Sequence, residues 1–353
     1  MAVAQTEAVT QSAGKPSGAP SSPSRSRLAR ALGYAGALVL GALLLVAAYA
    51  KAIDPNAFAE QIRAEGLDAG LSASTLALCG IAVEVALGAL LVLGVRRLWV
   101  LVPAALLVGF FLFLTGRGYW RFAHGTLPAD ASCGCFGNLV ERTPAEAFWQ
   151  DAALLLPALA LAFVGRSRAR GDSQPAQPWG RALAAFALTT GAVVLAHRAP
   201  GLPLDDLATR LKPGVVLGDL CAGAAKDRVC LGGVVPELET GSHVVVLADL
   251  ADPALAAAID QLNAYAQAGR GPRLWVLSGG TPEQTRAFFW KNGPAFEIRE
   301  VPQALLRPLY RKLPRTFVVE NGRVARTWST LPPLDTLGNG ERFAAQTDQG
   351  RPH

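Results

Sequence analysis

The chain has 353 residues, of which 51% are hydrophobic and 17% are charged. Soluble globular domains carry about 25% charged residues, so this composition excludes an ordinary soluble protein and indicates a membrane protein. The net charge is +6, but the arginines cluster beside apolar runs, as membrane insertion produces, and do not share one face with aromatic residues. We therefore expect a lipid bilayer as a partner and exclude nucleic acid.

Five apolar segments predict membrane-spanning helices, since a span needs ~20 mostly apolar residues. They cover residues 28–50, 71–95, 98–114, 148–164 and 182–196. The fifth is the shortest and follows a basic linker, so residues 166–200 are treated together as a linker and a fifth helix. Polar stretches at residues 1–27 and 334–353 predict disordered tails, the first of them cytosolic.

Arginine and lysine are concentrated in alternate connections between the spans. They precede the first span, fill the hairpin between the second and third, and lie between the fourth and fifth: Lys15, Arg25, Arg27, Arg30, Arg96, Arg97, Arg166, Arg168, Arg170 and Arg181. Positive charge stays on the cytosolic side. We therefore predict a protein of the bacterial inner membrane with a cytosolic N-terminus and a periplasmic C-terminal domain.

The motif Ser-Cys-Gly-Cys-Phe-Gly at residues 132–137 lies in the loop after the third span. Cys133 and Cys135 can close a very small, strained disulfide ring, which exchanges readily. Gly134 gives the backbone the freedom that such a ring needs. Three interpretations stay open: thiol–disulfide exchange, a static disulfide, and a metal site with His124 as a third ligand.

Glu84 lies near the middle of the second span, where an ionisable side chain usually faces the bundle interior or a cavity. It is interpreted either as a proton or quinone site that serves the cysteines, or as a carboxylate hydrogen-bonded to a neighbouring helix. The sequence fixes no cofactor, and a quinone is the candidate. Lys51 and Asp151 both fall at outer span ends, where we expect them to pair as a tether.

Further short motifs are spread along the membrane part. They are Lys51-Ala-Ile-Asp54-Pro55, Phe58, Val-Glu84-Val-Ala-Leu-Gly88 and Gln150-Asp151. With the motif at 132–137 they resemble the MauE family of methylamine-utilisation membrane proteins, within the wider DoxX-like group, over residues 28–165. MauE-type proteins are associated with producing the small, disulfide-rich subunit of periplasmic methylamine dehydrogenase. The resemblance implies a maturation role and a periplasmic client protein with disulfides as partner.

Residues 201–333 show the alternation of a soluble α/β domain. Strands are predicted at 243–248, 273–277 and 296–301, helices at 252–268 and 281–292, and a hairpin at 315–320 and 323–329. Asn321-Gly322 predicts a type I′ turn in that hairpin. The predicted fold class is thus an α-helical membrane bundle, four spans plus a fifth linking helix, followed by an α/β thioredoxin-like domain.

This order of elements resembles the thioredoxin-like fold of TlpA-type redoxins and the MauD family. The resemblance implies a cis Leu313–Pro314 bond, with Pro314 at an edge that binds a client peptide. A redox-active member carries Cys-x-x-Cys where the first helix begins, because the helix N-terminus stabilises a thiolate. Here residues 250–255 read Leu-Ala-Asp-Pro-Ala-Leu, so we expect no dithiol exchange at that place.

Cys221 and Cys230 fall on the two arms of a predicted short hairpin. A structural disulfide is predicted, with a second exchange pair and free thiols as alternatives. For the whole chain we predict a membrane-bound maturation factor, with Cys133 and Cys135 as its catalytic residues and a possible role as a thiol–disulfide oxidoreductase. The alternatives are a non-enzymatic assembly scaffold and a transporter, which the few charges inside the spans disfavour.

Overall fold

The protein is described by a computed structural model that covers residues 23–68, 70–125, 143–164, 178–223, 228–332 and 334. Cys133 and Cys135, residues 165–177 of the basic linker and most of both predicted tails lie outside the described residues. The first helix already begins at Pro23, so the last residues of the predicted N-terminal tail are helical.

Six helices build the N-terminal half. They are α1 (Pro23–Ile53), α2 (Pro55–Ala64), α3 (Ala73–Val92), α4 (Leu98–Ala123), α5 (Pro144–Phe163) and α6 (Pro178–Arg198). All except α2 belong to segments long and apolar enough to cross a membrane, which confirms the predicted bundle. Helix α2 lies in the connection between the first two predicted spans, for which no helix was predicted. It is a short helix with Asp54 as N-cap and Pro55 at its first position.

Helix α1 is the centre of the bundle and packs against α3, α5 and α6. A Cβ at Gly41 would lie 2.7 Å from the carbonyl oxygen of Gly88 in α3. A Cβ at Gly36 would lie 2.5 Å from Cβ of Leu161 in α5. Small residues at such crossings let helix backbones approach closely, which matters in a bilayer because apolar burial gives little net attraction between helices.

The long helices alternate in direction. Gly33, early in α1, lies beside the carbonyl of Val164 at the end of α5, while Arg117 of α4 pairs with Glu65 just after α2. Consequently α1, α4 and α6 finish, and α3 and α5 begin, at one end of the bundle. We call this the domain-proximal end, because the α/β domain follows α6 there.

Arg96 connects the helices at the end of the bundle opposite the domain-proximal end. Its buried guanidinium donates to the carbonyls of Ala162 and Val164, which finish α5. Its Cζ also lies 4.9 Å from the centre of the Tyr34 ring. A cation at a helix C-terminus satisfies carbonyls that have no partner within the helix, so the short hairpin after α3 holds α1 and α5 together.

The rest of the described chain forms the α/β domain. Its helices are α7 (Asp205–Ala208), α8 (Leu231–Val234), α9 (Pro253–Ala257), α10 (Ile259–Ala268), α11 (Pro282–Asn292) and α12 (Gln303–Leu306). Its strands are β1 (Cys221–Ala222), β2 (Val229–Cys230), β3 (Ser242–Leu247), β4 (Arg273–Ser278), β5 (Glu297–Glu300), β6 (Arg315–Glu320) and β7 (Arg323–Trp328). Residues 252–268 were predicted to form a single helix. The prediction of helix is right, but the helix is interrupted at Ala258 and forms α9 and α10.

The main sheet has the order β5-β4-β3-β6-β7, with β3, β4 and β5 parallel and β6 and β7 antiparallel to their neighbours. Val245 and Leu247 of β3 enter one hydrophobic core, and Val244 and Val246 enter the other. Both faces are therefore covered, which explains why β3 is a continuous apolar run. This architecture is compatible with a thioredoxin-like fold.

Two backbone predictions in this domain are confirmed. The Leu313–Pro314 peptide bond is cis. Asn321 and Gly322 have φ angles of 49° and 74°, the left-handed pair that a type I′ turn requires.

Arg315, the first residue of β6, is fully buried. Its guanidinium donates to the Thr209 hydroxyl, to the carbonyls of Leu309 and Leu211, and to a carboxylate oxygen of Asp206 at 2.9 Å. Burial lowers the pKa of this guanidinium. Arg315 thereby ties the segment that enters the α/β domain to its central sheet.

We expect Arg315→Lys to lower the free energy of unfolding of the α/β domain by ~3 kcal/mol, because one ammonium cannot replace a fork of donors and leaves buried acceptors unpaired. Chemical denaturation of the full-length protein in detergent, followed by tryptophan fluorescence, measures the change. Arg299→Lys is the control, since Arg299 pairs with Glu237 at an exposed position and should change stability by less than ~1 kcal/mol. Equal losses in the two variants would contradict the assigned role.

Candidate functional site

Lys51 lies in the last turn of α1 and points into the bundle. Its side chain is only 4% exposed, and its ammonium forms an ion pair with the carboxylate of Glu84 in α3, which is 1% exposed. The prediction that Glu84 faces the interior is consistent with this position. The structure pairs Lys51 with Glu84, and the pairing expected with Asp151 stays a prediction.

Three further helices contribute one side chain each around Lys51. The ring centres of Phe58 in α2 and Phe111 in α4 lie 4.9 Å and 4.7 Å from the Lys51 Nζ. Asp151 of α5 is buried and lines the same cavity as Lys51 and Phe111. We call Lys51, Phe58, Glu84, Phe111 and Asp151 the Lys51 cluster.

The Lys51 cluster differs from ordinary helix packing because it buries ionisable side chains between the helices. Buried charges among membrane spans are costly unless paired, and they commonly mark functional sites. An ammonium over aromatic faces gains about 0.5–2 kcal/mol for each good contact. The Lys51 ammonium is paired with Glu84, and a second acid, Asp151, lines the adjoining cavity. Oε2 of Glu84 accepts no hydrogen bond from any residue that the structure describes.

A cavity opens from the Lys51 cluster between α1, α4 and α5. Its lining is apolar except for Lys51 and Asp151. The cavity has a volume of about 30 Å³, which is room for about one or two water molecules. Leu154 lines the cavity and is 53% exposed on the outside of α5, so the mouth opens sideways, where lipid surrounds a spanning helix.

The junction with the α/β domain adds a second polar layer at the domain-proximal end. Arg307 donates to Glu60 of α2 at 2.5 Å, and Arg311 donates to the carbonyl of Ala199 just after α6 at 2.8 Å. Asp54 is buried beside them. Burial raises the pKa of the Asp54 carboxyl, while the Ala57 N–H and the two arginines act in the opposite direction.

The edge of the α/β domain at Pro314 carries a second cavity, of about 220 Å³, which Leu313 helps to line. Asp249, Ser278 and Tyr310 supply polar groups to it. Burial raises the pKa of Tyr310. This cavity lies at the carboxyl ends of β3 and β4, where an α/β sheet presents its loops.

The start of α9 carries two aspartates whose carboxylates bond to nearby backbone N–H groups. Asp252 occupies the N-cap, and its carboxylate accepts from the Ala254 N–H at 2.8 Å. Asp249 accepts from the Ala251 N–H at 2.9 Å. At the start of α9 the Ala254 N–H is thus already taken by a carboxylate of this chain.

The other predicted site residues fall in two places. Cys221 and Cys230 face each other in the β1–β2 ladder and are joined by a disulfide bond. Cys133 and Cys135 lie outside the described residues, so their catalytic role stays a prediction. Phe111 was missed in the sequence, and Phe58 was named only as part of the resemblance, because both look like ordinary apolar residues until the helices are assembled.

Substitutions at Lys51 and Glu84 distinguish the stability contributed by their ion pair from the stability contributed by apolar packing. Lys51→Met leaves Glu84 charged and buried, and we expect a loss of ~3 kcal/mol in stability. Lys51→Met combined with Glu84→Gln removes both charges and should recover part of that loss. Thermal unfolding in detergent micelles measures all variants.

Arg117→Met is the matched control for this pair. Arg117 and Glu65 lie 3.2 Å apart at an exposed position, where an ion pair contributes less than ~1 kcal/mol. If the single and double variants at Lys51 and Glu84 lost the same stability, the two charges would not be coupled.

The membrane part of the chain, which contains the Lys51 cluster, is similar to a known protein family. No curated protein matches the chain. Residues 29–164 match the family model described as methylamine utilisation protein MauE. The match confirms the resemblance predicted for the membrane part, includes every member of the Lys51 cluster, and makes the membrane domain of this chain similar to MauE.

Proposed function

We propose that this protein is an inner-membrane maturation factor for a periplasmic client protein and that it exchanges disulfides with the client through Cys133 and Cys135. The main support is the shared location of three features. The described residues Gly125 and Thr143, which flank the segment containing both cysteines, lie at the domain-proximal end. The Lys51 cluster and the docked α/β domain lie at the same end. The similarity to MauE links such a factor to methylamine utilisation.

Disulfide exchange moves two electrons and two protons from the client to the Cys133–Cys135 pair. A client thiolate attacks the Cys133–Cys135 disulfide and forms a mixed disulfide, which the second client thiolate resolves. The client gains one disulfide, and the Cys133–Cys135 pair gains two electrons and two protons. Turnover then requires a two-electron acceptor, for which a membrane quinone is the chemical class in reach of a protein in the bilayer.

The α/β domain holds the client in this proposal and performs no dithiol chemistry at α9. Its position over the bundle is supported by Arg307 and Arg311, which bond to Glu60 and to the end of α6. A client segment would bind at the Pro314 edge by strand addition and by side chains in the 220 Å³ cavity. The Cys221–Cys230 bond then serves as a structural tie between β1 and β2.

The proposed orientation rests on charge. Arg27, Arg30, Arg96, Arg97 and Arg181 lie toward the end of the bundle opposite the domain-proximal end. The rule that positive charge stays inside assigns that end to the cytosol. The domain-proximal end, where the segment containing Cys133 and Cys135 begins and ends, then faces the periplasm, where disulfides persist.

A non-enzymatic assembly scaffold is the second candidate. The observation in its favour is that Cys221 and Cys230 are already bonded and that carboxylates cap the helix start where redoxins react. In a scaffold the Cys133–Cys135 pair would be a static bond. The two functions differ in how easily that bond is reduced and in whether its loss affects the client.

Cysteine labelling in intact spheroplasts tests the proposal. We expect a membrane-impermeant maleimide to label Cys133 and Cys135 only after mild reduction, because a strained, exposed disulfide is easily reduced. Cys221 and Cys230 should label only after denaturation. Mass spectrometry of the labelled peptides assigns each cysteine. Free labelling of Cys133 and Cys135 without reductant, or resistance to it, would remove the basis for exchange.

Growth of cells and the oxidation state of the client provide a second test of the proposed function. We expect Cys133→Ser with Cys135→Ser to abolish growth on methylamine and to leave client cysteines reduced, at a normal level of the membrane protein. Cys79→Ser is the matched control, since Cys79 is a lone exposed cysteine on α3. Normal client oxidation in the double variant would favour the scaffold.

A further inference from the structure

We propose that the cavity at the Pro314 edge of the α/β domain binds a lysine or arginine side chain of the client, and that Asp249 selects for its positive charge. The inference rests on the proposed function, in which the α/β domain holds the client, and it names the chemistry of the segment that is held. It is carried by the size, the charge and the polar groups of the cavity.

The size and lining of the cavity fit a long amphipathic side chain. Its volume of about 220 Å³ has room for roughly seven atoms heavier than hydrogen, the size of a lysine or arginine side chain. Leu306 and Leu313 line it together with polar groups. Lysine and arginine bury their methylene groups along apolar surface while the charged head reaches polar atoms, so a lining of both kinds suits them.

Asp249 gives the cavity its charge. It is the only charged side chain among the described residues that line the cavity. One of its oxygens accepts from the Ala251 N–H at 2.9 Å, and an ionised carboxylate has further acceptor positions. Burial raises the pKa of the Tyr310 hydroxyl, and the negative charge of Asp249 adds to this effect. The field of Asp249 therefore reaches the wall that Tyr310 forms, and it favours a cation there.

A basic residue beside the cavity is already paired. The Cζ of Arg307 lies 5.3 Å from the centre of the Tyr310 ring, and its guanidinium bonds to Glu60 of α2 at 2.5 Å. Glu60 thus offsets the charge of Arg307, which joins the α/β domain to the bundle. The charge of the cavity lining stays negative.

Two further polar groups can complete the hydrogen bonding of an ammonium or guanidinium group. Gln303 donates through its amide to the Tyr310 hydroxyl at 2.9 Å, so its carbonyl oxygen remains an acceptor. The Ser278 hydroxyl is buried and lines the same cavity. A charge is stable away from water only if it is paired and hydrogen-bonded. Asp249 supplies the pairing, and Gln303 and Ser278 supply the further acceptors.

The backbone at Leu313 favours a side chain of an extended segment over a free amine. Leu313 lines the cavity and lies just before β6. Its backbone N–H and carbonyl form no hydrogen bond with any residue that the structure describes. An extended client segment can pair with these groups and place one side chain in the cavity.

Matched peptides test the charge preference. Full-length protein in nanodiscs of phosphatidylcholine, a lipid without net charge, is titrated into the rhodamine-labelled peptide Gly-Val-Lys-Val-Gly and into versions with norleucine or glutamate in place of lysine. Fluorescence anisotropy gives each Kd, with empty nanodiscs as the blank. We expect the lysine peptide to bind about tenfold more tightly than the norleucine peptide, because it adds hydrogen bonds to a charged group.

Substitutions at two aspartates assign this preference to the cavity. Asp249→Asn removes the charge and keeps an acceptor for the Ala251 N–H, and the lysine and norleucine peptides should then bind equally. Asp252→Asn is the matched control. Asp252 accepts from the Ala254 N–H at 2.8 Å but is not among the described residues that line the cavity, so the tenfold preference should remain. Asp249→Lys should bind the glutamate peptide more tightly than the lysine peptide.

Equal binding of the lysine and norleucine peptides to the wild type, or a lysine preference that persists in Asp249→Asn, would overturn the assignment. n-Butylammonium carries the charged group without a backbone and should displace the lysine peptide only at a concentration at least about a hundredfold higher. Equal potency would assign the cavity to a free amine and overturn its role in client recognition.

Failure of the proposed function looks different. In that case Cys133 and Cys135 would label freely without reductant or resist it. The lysine peptide would still bind in preference to the norleucine peptide, because the titration contains no dithiol step.

Discussion

The ion pair between Lys51 and Glu84 is the constraint on which the membrane domain depends. An ammonium at this depth in a bundle is stable only if a carboxylate and other favourable groups reach it. The carboxylate comes from α3, the aromatic faces from α2 and α4, and a second acid from α5. The close crossings of α1 at Gly36 and Gly41 bring α5 and α3 near enough to supply these groups.

The same end of the bundle also anchors the α/β domain. Glu60 and the carbonyl after α6 each receive an arginine from the short segment between α12 and β6. Arg315, at the start of β6, binds the segment that connects α6 to this domain. The soluble domain is therefore held at two places, and its cavity near Pro314 stays on the side of the bundle where the cysteine segment begins and ends.

Local patterns in the sequence were sufficient for much of the fold. A spanning helix satisfies its own backbone, so apolar length alone predicted the five spans, and Asn321-Gly322 predicted its turn because those residues tolerate positive φ. Helix α2 was missed because a short helix with charged residues has no hydropathy signal. The pairing of Lys51 with Glu84 was also missed. It depends on how α1 and α3 are rotated against each other, which span-end positions do not encode.

The five cysteines of the chain fall into three groups: one lone residue, one bonded pair, and the pair at residues 133 and 135. Cys79 is a lone exposed residue of α3, and Cys221 is bonded to Cys230. Asp252 caps the start of α9. We propose Cys133 and Cys135, in the connection between α4 and α5, as the exchanging pair. Those two helices also carry Phe111 and Asp151, so a change that moves α4 or α5 should alter both the cysteine segment and the Lys51 cluster.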